Sequence, residues 1–331
     1  MKKQAEIYYF LGHEQFQPEQ LLEDAIVAEK VGFDGLFVSE HFNPWVADMG
    51  ASGFALTTLG AIAARTKKIK LMTGVISPLF RYHPAVIAQA AATIDRLSNG
   101  RFTLGIGTGE SINETPLGFN FPAYKERSER LIEAVEIIEK LLNGEKINYK
   151  GKYYRSENVK LYSPPVTKVP IFISANGPKS ASIAAQYSDG IIVSVKNEEE
   201  SLQRVVNPFK VEAKVKNKQK AKIIATRWSV FAKNTDEAYK ALKPWRGLRA
   251  PDRDLANDPA NLQLAADNLN RQDIVERFTV INKIEDYIKD YSTLITKLNA
   301  DMVVIQTTSI SHQQELIKNL GKTVIPELKN L

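Results

Sequence analysis

The chain has 331 residues, a formal net charge of +6, four histidines and no cysteine. That length exceeds an ordinary domain but suits a barrel of alternating strands and helices, and it can bury roughly three quarters of its unfolded surface. The absence of cysteine excludes disulfides, thiolate nucleophiles, thiolate-bound iron–sulfur clusters and thiolate zinc sites.

Residues 7–11, Ile-Tyr-Tyr-Phe-Leu, predict a first strand ending at Gly12-His13. This apolar start is too short and too aromatic for a signal-peptide core, and no run approaches the roughly eighteen apolar residues of a membrane helix. A soluble cytoplasmic protein is expected. Residues 18–30 carry Leu21, Leu22, Ala25, Ile26 and Ala28 at a helical period, with Pro18 in the first turn. Residues 36–38 are the second strand, 53–65 a helix of small residues and 69–75 the third strand. Residues 83–97 form the next helix, stopped by Asn99-Gly100. Residues 102–106 are the fourth strand and run into Gly107-Thr108-Gly109-Glu110.

A long amphipathic helix is predicted over 124–142, then an extended excursion over 147–161 with a hairpin near Lys150-Gly151. Residues 171–174, 191–195, 223–232 and 302–306 are the remaining strands. Helices lie over 180–187, 236–242, 283–298, 313–320 and 325–328. The charged helix over 198–215 should break or kink at Pro208. Residues 244–274 read as an irregular polar insertion, a lid or a partner surface.

Strands each followed by a helix predict an α/β fold, a (β/α)8 TIM barrel in one domain over 1–331 with an insertion at 244–274. A doubly wound sheet would want a dinucleotide fingerprint after its first strand. Leu11-Gly12-His13-Glu14 does not supply one. In a barrel every strand's carboxyl end opens on one face. That face gathers His13; Glu40, His41 and Trp45; Gly74, Val75 and Ser77; Thr108, Gly109, Glu110 and Asn113; Ser174, Ala175, Asn176 and Gly177; and Ser194 and Lys196.

Other chemistries fit less well. A metal held by His13, Glu40, His41 and Glu110 lacks any His-x-His or His-Glu-x-x-His spacing. Ser39 and Ser111 lie outside a Gly-x-Ser-x-Gly elbow. Lys210, Lys214, Lys216, Lys218, Lys220 and Lys222 have no interleaved aromatics for base stacking, so they read as a solvated helix face and no nucleic-acid partner is expected. Small residues beside an aromatic wall suit a planar organic cofactor, with the protein supplying orientation and proton transfer. A basic chain also draws in anionic ligands.

Three stretches carry a family likeness. They are Gly32-Phe33-Asp34-Gly35 with Ser39-Glu40-His41-Phe42-Asn43-Pro44-Trp45, Phe80-Arg81-Tyr82-His83-Pro84-Ala85, and Leu97-Ser98-Asn99-Gly100-Arg101-Phe102 through Gly107-Thr108-Gly109-Glu110. Together they resemble the bacterial-luciferase-like flavin oxidoreductases, and among them the coenzyme F420-dependent glucose-6-phosphate dehydrogenases. The resemblance implies a homodimeric TIM barrel with the ring of coenzyme F420 or FMN in its mouth. It also implies a non-proline cis peptide at Gly74–Val75.

By the same resemblance His41 is the base at the substrate carbinol, Glu110 the acid and Trp45 the indole beside the substrate. Glu40 stands where the family has an aspartate near the ring. Gly74, Val75, Ser77, Thr108, Gly109, Asn113, Ser174, Ala175, Asn176 and Ser194 fall in the cofactor site. Lys196 and Arg277 fall at the substrate's phosphate, while the third cationic place lands near Gln263-Leu264, which is not basic and argues against glucose 6-phosphate. The implied activity is hydride transfer between a small alcohol or carbonyl and the ring. The alternatives are a two-component FMN monooxygenase served by a flavin reductase, and a barrel that binds a flavin without turnover.

Overall fold

The computed structural model describes residues 4–218, 220–309 and 313–331. Its main sheet has nine strands, all paired in parallel. Eight of them close a barrel: β1 (Glu6–Leu11), β2 (Gly35–Val38), β3 (Lys70–Thr73), β4 (Phe102–Ile106), β5 (Ile171–Ser174), β6 (Gly190–Ser194), β7 (Lys222–Phe231) and β8 (Met302–Ser309). Pairing of β6 with β7 completes the ring. The ninth strand, Thr279–Ile281, adds to the end of β7 outside the ring.

Alternation along the strands builds two apolar layers. Tyr8, Phe10, Phe37, Met72, Phe172, Ile192, Ile224, Met302 and Val304 pack together inside the barrel. Ile7, Tyr9, Leu36, Val38, Leu71, Ile173, Ile191, Val303 and Ile305 face the helices. Both faces are buried, so these strands read as nearly continuous apolar runs. Proline sits in the first turn of the helices Pro18–Lys30, Pro84–Leu97, Pro178–Tyr187 and Pro259–Asp267, where its missing N–H has no partner to lose.

The structure corrects three local expectations. The third strand stops at Thr73 rather than at 75, and the Gly74–Val75 bond beyond it is the non-proline cis peptide that the resemblance implied. Pro208 does not break its helix. Glu198–Ser201 passes into a wider π turn, Leu202–Val206, and on into Asn207–Val215, and the wider turn absorbs the missing donor. Residues 244–274 are not irregular. They hold two 3-10 turns, Lys243–Arg249 and Arg253–Leu255, and two helices, Pro259–Asp267 and Arg271–Val275. Asp258 and Asn270 cap those helices with side-chain oxygens, so the polar residues and Pro259 start helices rather than prevent them.

The excursion is an antiparallel hairpin of Ile147–Lys150 and Arg155–Val159. The Glu133 carboxylate, on the helix Tyr124–Leu142, accepts from the backbone N–H groups of Lys152, Tyr153 and Tyr154 and ties the turn down. Part of the lysine cluster is structural. Lys218 Nζ donates to the carbonyls of Gln186 and Ser188 at 2.8 and 3.2 Å. Among the described residues, no helix is long and apolar enough to cross a membrane.

Candidate active site

The carboxyl ends of the barrel strands surround a cavity of about 810 Å³. β2 runs directly into Glu40 and His41, and both side chains reach this cavity. His41 Nδ1 lies 3.0 Å from the Asn43 carbonyl, which fixes the ring and leaves Nε2 facing the mouth. Nε2 then lies 3.1 Å from Glu110 Oε2 and 3.5 Å from Glu14 Oε1. The Trp45 ring packs against the imidazole, with centroids 4.9 Å apart. Burial alone would push the imidazole pKa down. The charges of Glu14 and Glu110 outweigh it and raise the value to about 9. The same contact, helped by Arg253 and Arg81, overcomes burial at Glu110 and lowers its pKa.

Sequence reasoning placed His13 at the mouth and passed over its neighbour. The structure reverses the two. His13 is fully buried, with Nδ1 2.9 Å from the Ser39 carbonyl and Nε2 2.9 Å from Thr58 Oγ1. Burial pushes it down to about 4, so it is a neutral core group. Glu14 faces His41 instead, and Ser39 Oγ donates to its other carboxylate oxygen.

Glu40 is engaged by protein. Arg81 bridges the Glu40 and Glu114 carboxylates, and Tyr82 OH donates to Glu40 Oε1 at 3.0 Å. The side chains of Glu40, Arg81 and Glu114 are 2, 6 and 0 % exposed, so this is a buried ion-pair network. Burial pushes Glu114 up to about 7 even beside Arg81. The longer arm of glutamate at position 40 is therefore spent on Arg81. Asn113 Oδ1 accepts from the N–H groups of Phe42 and Asn43 at 2.9 and 3.2 Å, and so locks the loop that carries His41.

Gly74, Val75, Ser77, Thr108, Gly109, Asn113, Ser174, Asn176 and Ser194 all line the cavity. Ala175 does not. Its side chain turns outward into the helix-facing core. Lys196 and Arg277 do not line the cavity. The charges of Arg249, Arg253 and Arg277 reach Lys196, adding to burial in lowering its pKa. Gln263 is no part of this cluster, because its Oε1 accepts from the N–H groups of Ala47 and Asp48. Arg253 lines the cavity instead, while Arg249 lies over the Phe278 ring at 4.4 Å and donates to the Arg277 carbonyl at 3.2 Å. They were hidden in the segment read as irregular, which folds across the mouth and sets Arg253 over the Trp45 ring at 5.7 Å.

The floor suits a flat ring. Ser77 Oγ is buried with no protein partner and faces the cavity. A Cβ on Gly107 would meet Val75 Cγ2 at 2.9 Å. Gly109 has φ +74°, and a Cβ there would come within 2.7 Å of Ser77 Oγ. Glycines at both places keep the floor low beside the cis bond. Farther out, Arg127 and the start of the helix Pro178–Tyr187 offer an anion-friendly end. Among the described residues, no group of three or more His, Asp or Glu is placed to hold a metal ion.

The family model for luciferase-like monooxygenases matches residues 5–294. The chain belongs to the luciferase-like monooxygenase family. Within it, the chain is 33% identical over 328 residues to the F420-dependent glucose-6-phosphate dehydrogenase of Nakamurella multipartita, covering 98% of this chain and 96% of the relative. It is 35% identical over 295 residues to the enzyme of the same name from Mycolicibacterium smegmatis, covering 85% and 88%. Its barrel superposes on an F420-dependent secondary alcohol dehydrogenase, solved in complex with an F420-acetone adduct, with a TM-score of 0.88 and 29% identity over 98% of this chain and 99% of that one. EDTA monooxygenase from Chelativorans sp. BNC1 shares the luciferase-like fold at a TM-score of 0.76 and 14% identity, covering 99% of this chain and 94% of that one.

Proposed function

We propose that this protein is a coenzyme F420-dependent oxidoreductase acting between an alcohol and its carbonyl. The observation that carries the reading is His41 Nε2, held between Glu14 and Glu110 beside Trp45 above a glycine-lowered floor. Bound F420 would supply the hydride acceptor or donor. His41 Nε2 takes the hydroxyl proton during oxidation and returns it during reduction. Glu14 and Glu110 stabilise the imidazolium in between. Trp45 walls the substrate against the imidazole, and Ser77, Gly107 and Gly109 seat the ring. The names of the relatives at 29 to 36% identity support this cofactor and reaction.

Equilibrium binding tests it. Fluorescence quenching should show tight binding of F420 and neglect of FMN, and the loaded protein should then change the F420 absorbance when an alcohol is added. Tight FMN binding with F420 ignored would overturn the reading and turn attention to oxygen uptake.

The substrate carries an anionic group. Arg253 lines the mouth, and its charge reaches Lys196 together with those of Arg249 and Arg277; burial, with the charges of Arg253 and Arg277, lowers the Arg249 guanidinium to about 10. Arg253 thus provides the cation that position 263 lacks. With glucose 6-phosphate as the anionic probe, Arg253→Ala should raise KM about tenfold or more, since charge-assisted hydrogen bonds to a phosphate contribute roughly 1.5–3 kcal/mol each. An unchanged KM would remove the anionic substrate. The chain acts as one barrel domain in the cytoplasm. It pairs with a second copy over the exposed rings of Phe42 and Phe54 and the exposed Val86, a state that sedimentation would read directly.

A further inference from the structure

A second cavity, of about 1080 Å³, opens at the end of the barrel opposite the mouth. Its walls are the amino ends of β3, β4, β5, β7 and β8 and the loops that lead into them. Seven cationic side chains line it against one carboxylate, that of Asp189. Four of the seven are tied into the fold. All five donors of Arg101 go to the Thr66 hydroxyl and to the carbonyls of Ala63, Thr66, Ile69 and Ser98, which closes the end of the helix Ala55–Arg65. Lys218 does the same for the helix Pro178–Tyr187 through the carbonyls of Gln186 and Ser188. Lys70 pairs with Glu6 at 2.7 Å and Lys168 with Asp189 at 2.6 Å. Lys68, Lys220 and Lys222 remain, and among the described residues their ammonium groups have no hydrogen-bond or ion-pair partner. Glu29, beside Lys68, is already engaged by the backbone N–H groups of Lys67, Lys68 and Ile69. The two helix ends offset only about half a charge each, so the cavity keeps an excess of positive charge. One inward hydroxyl adds to it. Thr103 lies on β4 between Phe102 and Leu104, which face the helices. It is 8% exposed and lines this cavity, and its hydroxyl has no partner among the described residues.

We propose that this cavity is a binding site for a small molecule carrying a chain of phosphoryl groups. A cleft lined by one sign of charge over low-dielectric walls concentrates counter-ions, and the buried side chains of Tyr8, Phe172 and Met302 supply that apolar floor. The arrangement of the cations selects a chain over a single anion. Lys68 precedes β3, whereas Lys220 and Lys222 stand at the start of β7, four strands farther round an eight-stranded ring. One phosphate cannot meet lysines on opposite sides of the barrel, but a chain laid across the cavity can. Lysine binds phosphate as a point charge, and the Thr103 hydroxyl adds a donor between the two sides. A nucleic acid fits less well, because the lysines ring a concavity and the aromatic residues that line it are buried, leaving no face on which a base could stack.

The test titrates sodium tripolyphosphate into the full chain by calorimetry. Wild type should bind it, more weakly as salt rises. The triple variant Lys68→Gln, Lys220→Gln and Lys222→Gln should lose affinity by about tenfold or more, since charge-assisted contacts to phosphate are removed. Arg253→Ala, at the mouth, should leave the affinity unchanged. ATP is the second arm. Equal affinity assigns recognition to the phosphate chain alone, and tighter binding adds the nucleoside to it; both outcomes support the site. Lysine acetylation of wild type needs no variant to fold. Tripolyphosphate should protect Lys68, Lys220 and Lys222 and leave Lys196 open to the reagent. Absence of binding by wild type overturns the proposal. So does a loss in Arg253→Ala with none in the triple variant, which would move the anion to the mouth. Orthophosphate binding as tightly as tripolyphosphate overturns it too, as does protection of these lysines by a single-stranded oligonucleotide and not by tripolyphosphate. The oxidoreductase reading is independent of every one of these outcomes and rests on F420 binding.

Discussion

His41→Ala is expected to lower turnover by about 10²–10⁴-fold, the usual contribution of a positioned general acid–base group. F420 affinity should change little, because Nδ1 is tied to the Asn43 carbonyl and Nε2 points at carboxylates rather than at the ring floor. A loss well under a hundredfold would take the proton-transfer role from His41. Its pH profile carries a sign. The imidazole is raised to about 9, so alcohol oxidation, which needs neutral Nε2, should climb as pH rises toward 9. Carbonyl reduction, which needs the imidazolium, should be flat near neutrality and fall above 9. Glu14→Gln removes one of the two flanking carboxylates and should shift both limbs to lower pH. An unmoved profile would mean that Glu14 does not face the imidazole in solution. The same raised value stabilises the fold fully below about pH 6.5, and that contribution is lost as pH passes through about 9.

Arg81→Met should cost about 3–5 kcal/mol of stability at pH 8, because it leaves Glu40 and Glu114 buried without their cation. Glu40 would keep only the Tyr82 hydroxyl, and Glu114 only the backbone N–H of residue 81. Lowering the pH should recover much of the loss. Glu114 is raised to about 7 by burial, so its protonation on folding favours the folded state below that value and is lost as pH rises through it. Denaturant midpoints at pH 8 and pH 5.5 read the difference. A loss under about 1 kcal/mol at both would show that the network contributes no more than a surface pair.

The barrel was legible because its signals are local. A parallel strand buried on both faces needs a short apolar run, and a surface helix needs a 3.6-residue stripe. Residues such as 36–38 and 84–97 carry those patterns without help from the rest of the chain. Glu40, His41, Trp45 and Glu110 were legible for a related reason. The carboxyl ends of parallel barrel strands open on one face, so polar groups that follow a buried strand are candidates for that mouth.

What the chain alone left open is which polar group meets which. His13 and Glu14 are neighbours, and the turn after β1 sends one into the core against Thr58 and the other toward His41. Ala175 turns away from the cavity that Ser174 and Asn176 line, because β5 hands its alternation to the loop. Arg249 and Arg253 join Lys196 only when two 3-10 turns carry them across the mouth, over fifty residues along the chain. Sequence by itself determined the elements and the residues at their ends, since local periodicity and turn chemistry are written into each segment. Only barrel closure decided the contacts, because burial, charge and hydrogen-bond partners at the mouth come from strands that are neighbours in space and distant in the chain.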